Sequence, residues 1–342
     1  MGCAPPPAIP CNGLFDIHRP KMPLRSCVFV LIGLCLAHPG LADTARAAAL
    51  PQTPRIAETT LAVSAGFEHN RNATVLVEDA DGRRPENDGA STQSAFLDSQ
   101  LGLDLELPLA SGQAWIGTLD LNLRRYAHLP ELNRDKIALR TGPGLPLGDA
   151  EAELLLAIDT LSLGGGDFRR RALGLEINRT AAVAGGRGKS RLLWQRQRHA
   201  GLDDLYDRDR LALDHAQTWA SDGPWRPSWT VRGGWQSERN RWGYDDLSSR
   251  GAHLELEFQV SPRTEWTFIA WMGVAWTRYG GPAPDEDFTR RDRRQTLALA
   301  VEYPLDDAKN FRCDLETLRQ NSNDSLAEAR SSRLGCGLEW AL

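Results

Sequence analysis

Residues with the chemistry to bind phosphate, hold a metal or exchange thiols are few in this chain. Gly185-Gly186-Arg187-Gly188-Lys189-Ser190 has the glycines, lysine and hydroxyl of a phosphate-cradling loop. Val183 stands where the first glycine of such a loop belongs, so the stretch reads as a glycine-rich turn. Gly164-Gly165-Gly166 precedes no dinucleotide-binding pattern and reads as a tight connection. His215 and His253 lie on separate segments without ligand spacing, and neither a CxxC nor a Cys/His set offers a zinc site. There is no GxSxG and no HExxH. The expectation is therefore of a protein that is not an enzyme, with no catalytic residue, cofactor or metal ligand.

The charged residues form a larger set, and their placement carries more information. Lys and Arg total 40 against 45 Asp and Glu, a net charge of −5, with no long run of either sign. This gives no basic field for nucleic acid. Hydrophobic residues are 41% of the chain. They are too dispersed for a bundle of membrane helices, each of which needs about 20 apolar residues in a row. A β-barrel escapes that argument, because its strands alternate apolar with polar residues.

The N-terminal stretch reads as an export signal. Lys21 and Arg25 precede an apolar run from Cys27 to Ala37, followed by small-residue cleavage sites after Ala42 or Ala47, with Met22 as its natural start. A lipoprotein signal does not fit, since Leu34 precedes Cys35. Residues 1–47 are thus expected to be a non-mature extension and signal peptide, 48–56 a short periplasmic lead, and 57–342 the mature domain. Cys3, Cys11, Cys27 and Cys35 fall in the discarded part, leaving Cys313 and Cys336.

From residue 57 onward the pattern has period two. Trp115, Gly117, Leu119, Leu121 and Leu123 alternate with Ile116, Thr118, Asp120, Asn122 and Arg124; Leu254, Leu256 and Phe258 alternate with Glu255 and Glu257. Such alternation marks strands with one apolar and one polar face. These segments reach the roughly 9–11 residues that cross a membrane at a tilt, longer than soluble strands. About fourteen are counted, near 57–69, 94–107, 114–126, 134–142, 151–163, 167–180, 189–199, 207–219, 228–239, 248–260, 264–278, 289–303, 310–321 and 328–342, an even number as bacterial barrels have. Connections after even strands are compact and rich in Gly, Pro and Asp, while the longest, 70–93, 240–247 and 279–288, follow odd ones. The 4–5 and 5–6 connections blur that rule. The fold expected is all-β: a transmembrane, antiparallel outer-membrane barrel of a Gram-negative bacterium.

Aromatic placement points the same way. Trp115, Trp229, Trp266 and Phe311 open odd strands, and Trp219, Phe258, Tyr303 and Trp340 close even ones, all at the periplasmic edge. Rings of this kind settle at the headgroup boundary. On the polar face lie Asp104, Glu106, Asp120, Arg124, Glu176, Arg232, Glu255, Glu257, Arg312, Asp314, Glu316, Arg333 and Glu339. Two readings stand for them: a hydrated lumen that conducts or guides a substrate, and a charge network that braces the wall. A last hairpin with its tip at Asp324-Ser325 sets Cys313 opposite Cys336 on the apolar face. A cross-strand disulfide and a pair of free thiols against lipid are both open at this point.

Several phrases resemble the C-terminal barrel of the surface lipoprotein assembly modifier family. They are TTLAVSAGFEHNRNATV at the first strand, DTLSLGGGDFRRRALGLEI at a central hairpin, and SSRGAHLELEF, RRDRRQTLALAVEYPL and LETLRQNSNDSLAEARSSRLGCGLEW in the closing strands. The resemblance implies a barrel that moves or displays a secreted or lipid-anchored protein at the cell surface, through its lumen or a lateral opening between first and last strands. The family's N-terminal tetratricopeptide domain has no counterpart here, for no period of about 34 residues appears. A passive porin-like channel for small polar solutes, cation-favouring through its lumen carboxylates, is the alternative. A closed barrel presenting loops 70–93, 240–247 and 279–288 as an adhesin or receptor is a third. The partners expected are outer-membrane lipids, the barrel-assembly machinery and an exported cargo protein.

Overall fold

The computed structural model describes residues 55–71, 91–109, 113–164, 168–200, 204–263, 265–282 and 286–342. The export signal expected over 1–47, most of the lead and most of the 70–93 loop lie outside the described residues. Fourteen strands follow one another: β1 Arg55–Arg71, β2 Ser91–Pro108, β3 Ala114–Tyr126, β4 Arg134–Leu147, β5 Ala150–Leu163, β6 Phe168–Val183 and β7 Gly186–Ala200. They continue with β8 Arg208–Ala220, β9 Ser228–Asn240, β10 Ser249–Arg263, β11 Trp266–Pro282, β12 Thr289–Asp306, β13 Lys309–Ser322 and β14 Ala329–Ala341. Each pairs antiparallel with its neighbours in sequence, and β1 pairs β14, so the sheet closes into a barrel.

The two ends of the barrel are built differently. At one end the hairpins are tight. The β6–β7 turn is only Ala184-Gly185, with φ of 48° and 75°, the left-handed pair that a two-residue hairpin demands. In the β12–β13 turn, the carboxylate of Asp306 accepts from the Ala308 amide and from Lys309 Nζ, both at 2.9 Å. The Lys309 hydrogen bond, with help from that amide, holds the Asp306 carboxyl below its ordinary range. At the other end, single 3₁₀ turns at Pro130–Leu132, Asp204–Tyr206, Asp245–Leu247 and Ser325–Ala327 fill the connections after β3, β7, β9 and β13. Short turns at one rim and longer connections at the other is the layout of bacterial outer-membrane barrels, with the short turns periplasmic.

Two connections expected to be loops are largely strand. β4 runs on to Leu147, leaving a two-residue turn before β5, and β6 runs on to Val183. Glycine and proline in GPGLPL suggested a break, but the β4–β5 ladder passes from Thr141↔Leu156 directly to Gly144↔Glu153. Pro143 thus sits where β5 asks no amide of it.

Large apolar side chains stand exposed on alternate positions all round the outside, among them Leu97, Leu173, Leu213, Leu254, Met272 and Leu334. At the tight-turn end this face carries an aromatic arc. Trp219 is paired with Trp229, Trp229 with Phe258 at 4.2 Å between ring centroids, and Tyr303 with Phe311. Trp266 lies 4.9 Å from Tyr303. Trp340 is set between Leu61 of β1 and Lys309 of β13, and Trp115 stands apart on β3, donating from its indole to Thr141 Oγ1 at 2.8 Å. The arc therefore runs from β8 to β14, and the β2–β7 side depends on Leu and Ile.

The closing seam is continuous from Thr60↔Ala341 to Arg71↔Arg330, and it is built on glycine. Gly66 faces Gly335, and Gly337 faces Ser64; a Cβ on Gly66 would strike the carbonyl oxygen of Leu334, and one on Gly337 that of Val63. Beside the seam, Cys313 and Cys336 face each other across β13 and β14, and their sulfurs are bonded. We expect Gly337→Val to abolish the compact, heat-modifiable form that a closed barrel shows on unboiled gels, while the lipid-facing Thr317→Val leaves it intact. Alkylation of the unfolded chain should label Cys313 and Cys336 only after reduction, as read by peptide mass spectrometry.

Candidate functional site in the barrel interior

Because the exposed Leu and Trp positions face outward, the alternate positions face the lumen. The structure puts Asp104, Glu106, Asp120, Arg124, Glu176, Arg232, Glu255, Glu257, Arg312, Asp314, Glu316, Arg333 and Glu339 there. Their registers with one another agree, as in Asp98↔Arg124, Arg232↔Glu255, Glu302↔Arg312 and Ala62↔Glu339.

Most of these charges are held by partners on nearby strands. Arg140 of β4 is the centre of one cluster: it donates to both oxygens of Asp159 at 3.0 and 3.1 Å and to Glu176 Oε2 at 3.0 Å. Glu176 also meets Arg191 at 3.3 Å and accepts from Asn178 at 3.0 Å, and Gln195 donates to Asp159. Behind them an apolar patch of Ala157, Leu193 and Ala212 is buried on the inner wall. A second cluster joins β1, β2, β3 and β14. Arg124 pairs with Asp98, Tyr126 donates to Glu68 at 2.7 Å, and Phe96 lies beneath the guanidinium groups of both Arg124 and Arg333. In the same cluster Arg333 meets Glu316 at 2.8 Å and Asp314 at 3.3 Å, and on the far side Arg208 meets Glu238 at 2.5 Å. The pairs Arg140–Asp159, Arg140–Glu176, Arg124–Asp98, Arg208–Glu238 and Arg333–Glu316 each join groups on neighbouring strands or two strands apart. The network follows the wall and none of these pairs spans the lumen.

Along the barrel axis the interior is polarised. Toward the tight-turn end the inner wall carries Asp104, Glu106 and Asp120, all exposed, with Glu302 and Glu339 near them. Toward the loop end it carries Arg124, Arg134, Arg208, Arg290, Arg294 and Arg333. Here the polar groups are closely packed: Asn70, Asp98, His199, Arg208, Asn240 and Gln320 are all buried. The acidic bias read from the sequence thus belongs to one mouth, not to the whole lumen.

A cavity of about 430 Å³ opens on the β10–β14 and β1 side, lined by Glu257, Asp314, Glu316, Glu339, Arg312 and Trp271 among others. A second, of about 380 Å³, lies further toward the loop end and shares Trp271 and Glu316. Trp271 is the functional candidate that sequence reasoning missed. Its signal was parity: Trp266 and Trp276 hold even positions on β11 and face lipid, whereas Trp271 is odd and faces the lumen. An inward indole among carboxylates gives a flat apolar face beside acceptors, which suits a sugar ring or an organic cation.

Removing Arg140 leaves Asp159 without its guanidinium partner in a closely packed wall, while Glu176 keeps Arg191. Arg140→Ala should cost about 3–5 kcal/mol, as loss of one partner from a buried ion pair does, measured by urea unfolding of the barrel in lipid. Lys309→Ala, at an exposed turn pair, should leave the unfolding curve unchanged within error.

No family model matches the chain, and no curated protein matches it. Among solved structures it is similar to the outer membrane channel DcaP of Acinetobacter baumannii, with 10% identity, 84% of this chain and 97% of that one covered, and a TM-score of 0.50. It is also similar to a loop L8 deletion mutant of OmpT, an outer membrane protein of Vibrio cholerae, at 7% identity, covering 84% and 99%, with a TM-score of 0.46. The anion-selective porin from Comamonas acidovorans matches at 11% identity, covering 85% and 100%, with a TM-score of 0.44. At these identities the likeness is one of fold. The chain is a closed, fourteen-stranded antiparallel barrel of the Gram-negative outer-membrane kind.

Proposed function

We propose that this barrel is a water-filled channel for small polar solutes, with an arginine-rich mouth at the loop end and an acidic one at the tight-turn end. The observation that carries the reading is the course of the ion pairs. They brace the wall between near neighbours, while Asp104, Glu106 and Asp120 stand exposed on the inner wall toward the tight-turn end. Fixed charge at a mouth concentrates counter-ions, so the exposed carboxylates at the tight-turn end enrich cations there, while the loop-end arginines are largely neutralised by their carboxylate partners. Such an axial arrangement makes current depend on the sign of the applied voltage. The names of the fold neighbours, a channel and a porin among them, accord with this reading.

The export reading rests on the sequence phrases of the surface lipoprotein assembly modifier family. A lateral route would have to part a seam that is paired without a gap from Thr60 to Arg71. Planar-bilayer recording tests the channel. The expected result is stable, rectifying single-channel conductance in symmetric potassium chloride. Asp104→Asn, Glu106→Gln and Asp120→Asn combined should lower the cation-to-anion permeability ratio roughly two- to threefold. Absence of conductance from a folded barrel overturns the proposal. Disappearance of a protein from the cell surface in a deletion strain, with solute uptake unchanged, puts export in its place.

A further inference from the structure

The lipid-facing side of the β10–β14 sector changes chemistry abruptly at the loop end. On β10 the outer face runs Phe258, Leu256, Leu254, Ala252 and ends on Arg250. On β11 it runs from Phe268 through Met272 to Arg278, and on β12 from Tyr303 through Leu299 and Leu297 to Arg293 and Arg291. β13 goes from Phe311 to Arg319 and β14 from Trp340 to Arg330. On β12 Arg291 lies one outward position beyond Arg293; from the aromatic arc to the first arginine of each strand is eight to ten residues. At about 3.4 Å per residue and a tilt near 40°, that is roughly 21–26 Å along the membrane normal, the height of the apolar belt of an outer-membrane barrel. These guanidinium groups therefore stand at the hydrocarbon boundary, outside the barrel.

They also stand directly beside one another. Arg250 faces Arg278, and Arg278 faces Arg291, so a single row crosses three strands. Arg319, Arg330 and Arg71 form a second row across β13, β14 and β1. Like charges directly opposed on a sheet are destabilising. Elsewhere on the same rim some arginines are paired, Arg125 with Asp135 at 2.5 Å and Arg196 with Asp209 at 3.2 Å, while Arg171 and Arg198 are opposed across β6 and β7. Among the described residues, no carboxylate pairs with Arg250, Arg278, Arg291, Arg293 or Arg330. A cationic row at the edge of the hydrocarbon, facing outward and lacking an internal acid, is complementary to an anionic headgroup. The guanidinium fork fits phosphate in particular, through two parallel N–H···O bonds.

We propose that the row Arg250–Arg278–Arg291, with Arg293 below it, binds the phosphate groups of a phosphorylated lipid in the leaflet at the loop end. The acyl chains of that lipid lie along Leu254, Met272, Trp276 and Leu297. The rows on β13–β1 offer the same chemistry to a second lipid molecule.

Native mass spectrometry of the purified full chain in detergent, with bis-phosphorylated lipid A as the probe, tests this. The wild-type barrel should retain lipid A. It should bind fully dephosphorylated lipid A at least tenfold less. Arg250→Ser, Arg278→Ser and Arg291→Ser combined should reduce lipid A retention about tenfold while the heat-modifiable form persists. The corresponding triple Lys variant, which keeps the charge, should stay within about threefold of wild type. Equal binding of phosphorylated and dephosphorylated lipid A by the wild type overturns the proposal, and that comparison needs no variant to fold. Unchanged retention by the folded Ser variant overturns it as well. Displacement of all bound lipid A by millimolar inorganic phosphate would make this a free-phosphate site and would also overturn it.

Discussion

Hydrocarbon offers a peptide group no hydrogen-bond partner, and everything else in this molecule follows from that. A sheet can cross a bilayer only if its first strand meets its last, so that no row of amides and carbonyls is left at an edge. β1 and β14 meet this demand through a seam without gaps, and glycine sits where the two backbones approach most closely. Closure divides the side chains into two solvents by parity alone. A residue's neighbours in sequence face the other medium, which is why Leu and Trp alternate so regularly with Asp, Glu and Arg.

The interior then has its own problem, since a ring of charges must be kept from collapsing inward or repelling outward. Here the solution is local. Arg140, Arg124, Arg208 and Arg333 each bind carboxylates on the same or nearby strands, giving a wall cross-braced in the direction perpendicular to its backbone ladders. Guanidinium suits this work because its planar fork can bind two acceptors at once, as Arg140 does with Asp159 and Glu176. The same residue type is used differently on the outer rim. There Arg250, Arg278 and Arg291 lie side by side, and among the described residues no carboxylate pairs with them.

Strand number and parity were legible in the sequence because a period of two sustained over ten residues fits a strand with two unlike faces and no helix. Each of the fourteen expected segments overlaps an observed strand, and the hairpin tip at Asp324-Ser325 correctly sets Cys313 against Cys336 in the register. Less legible were the strand ends. Gly142, Pro143 and Gly144 look like a turn in one dimension, yet the chain stays extended there because the neighbouring strand makes no demand on the proline. Trp271 escaped notice because it resembles the girdle residues Trp266 and Trp276 in type, and only its odd position distinguishes it. The axial separation of acid from arginine, and the rows of outward arginines, could not be read without the registers. Both depend on which residues of different strands share a height.

The bonded pair Cys313 and Cys336 has a consequence for how the barrel can open. Both sulfurs belong to the face turned toward hydrocarbon, between Phe311 and Leu315 on one strand and Leu334 and Leu338 on the other. The tip of that last hairpin is at the loop end, so the bond staples its open end, between residues 23 apart in sequence. β13 and β14 are thus one covalent ribbon, and if β14 leaves β1 it takes β13 with it.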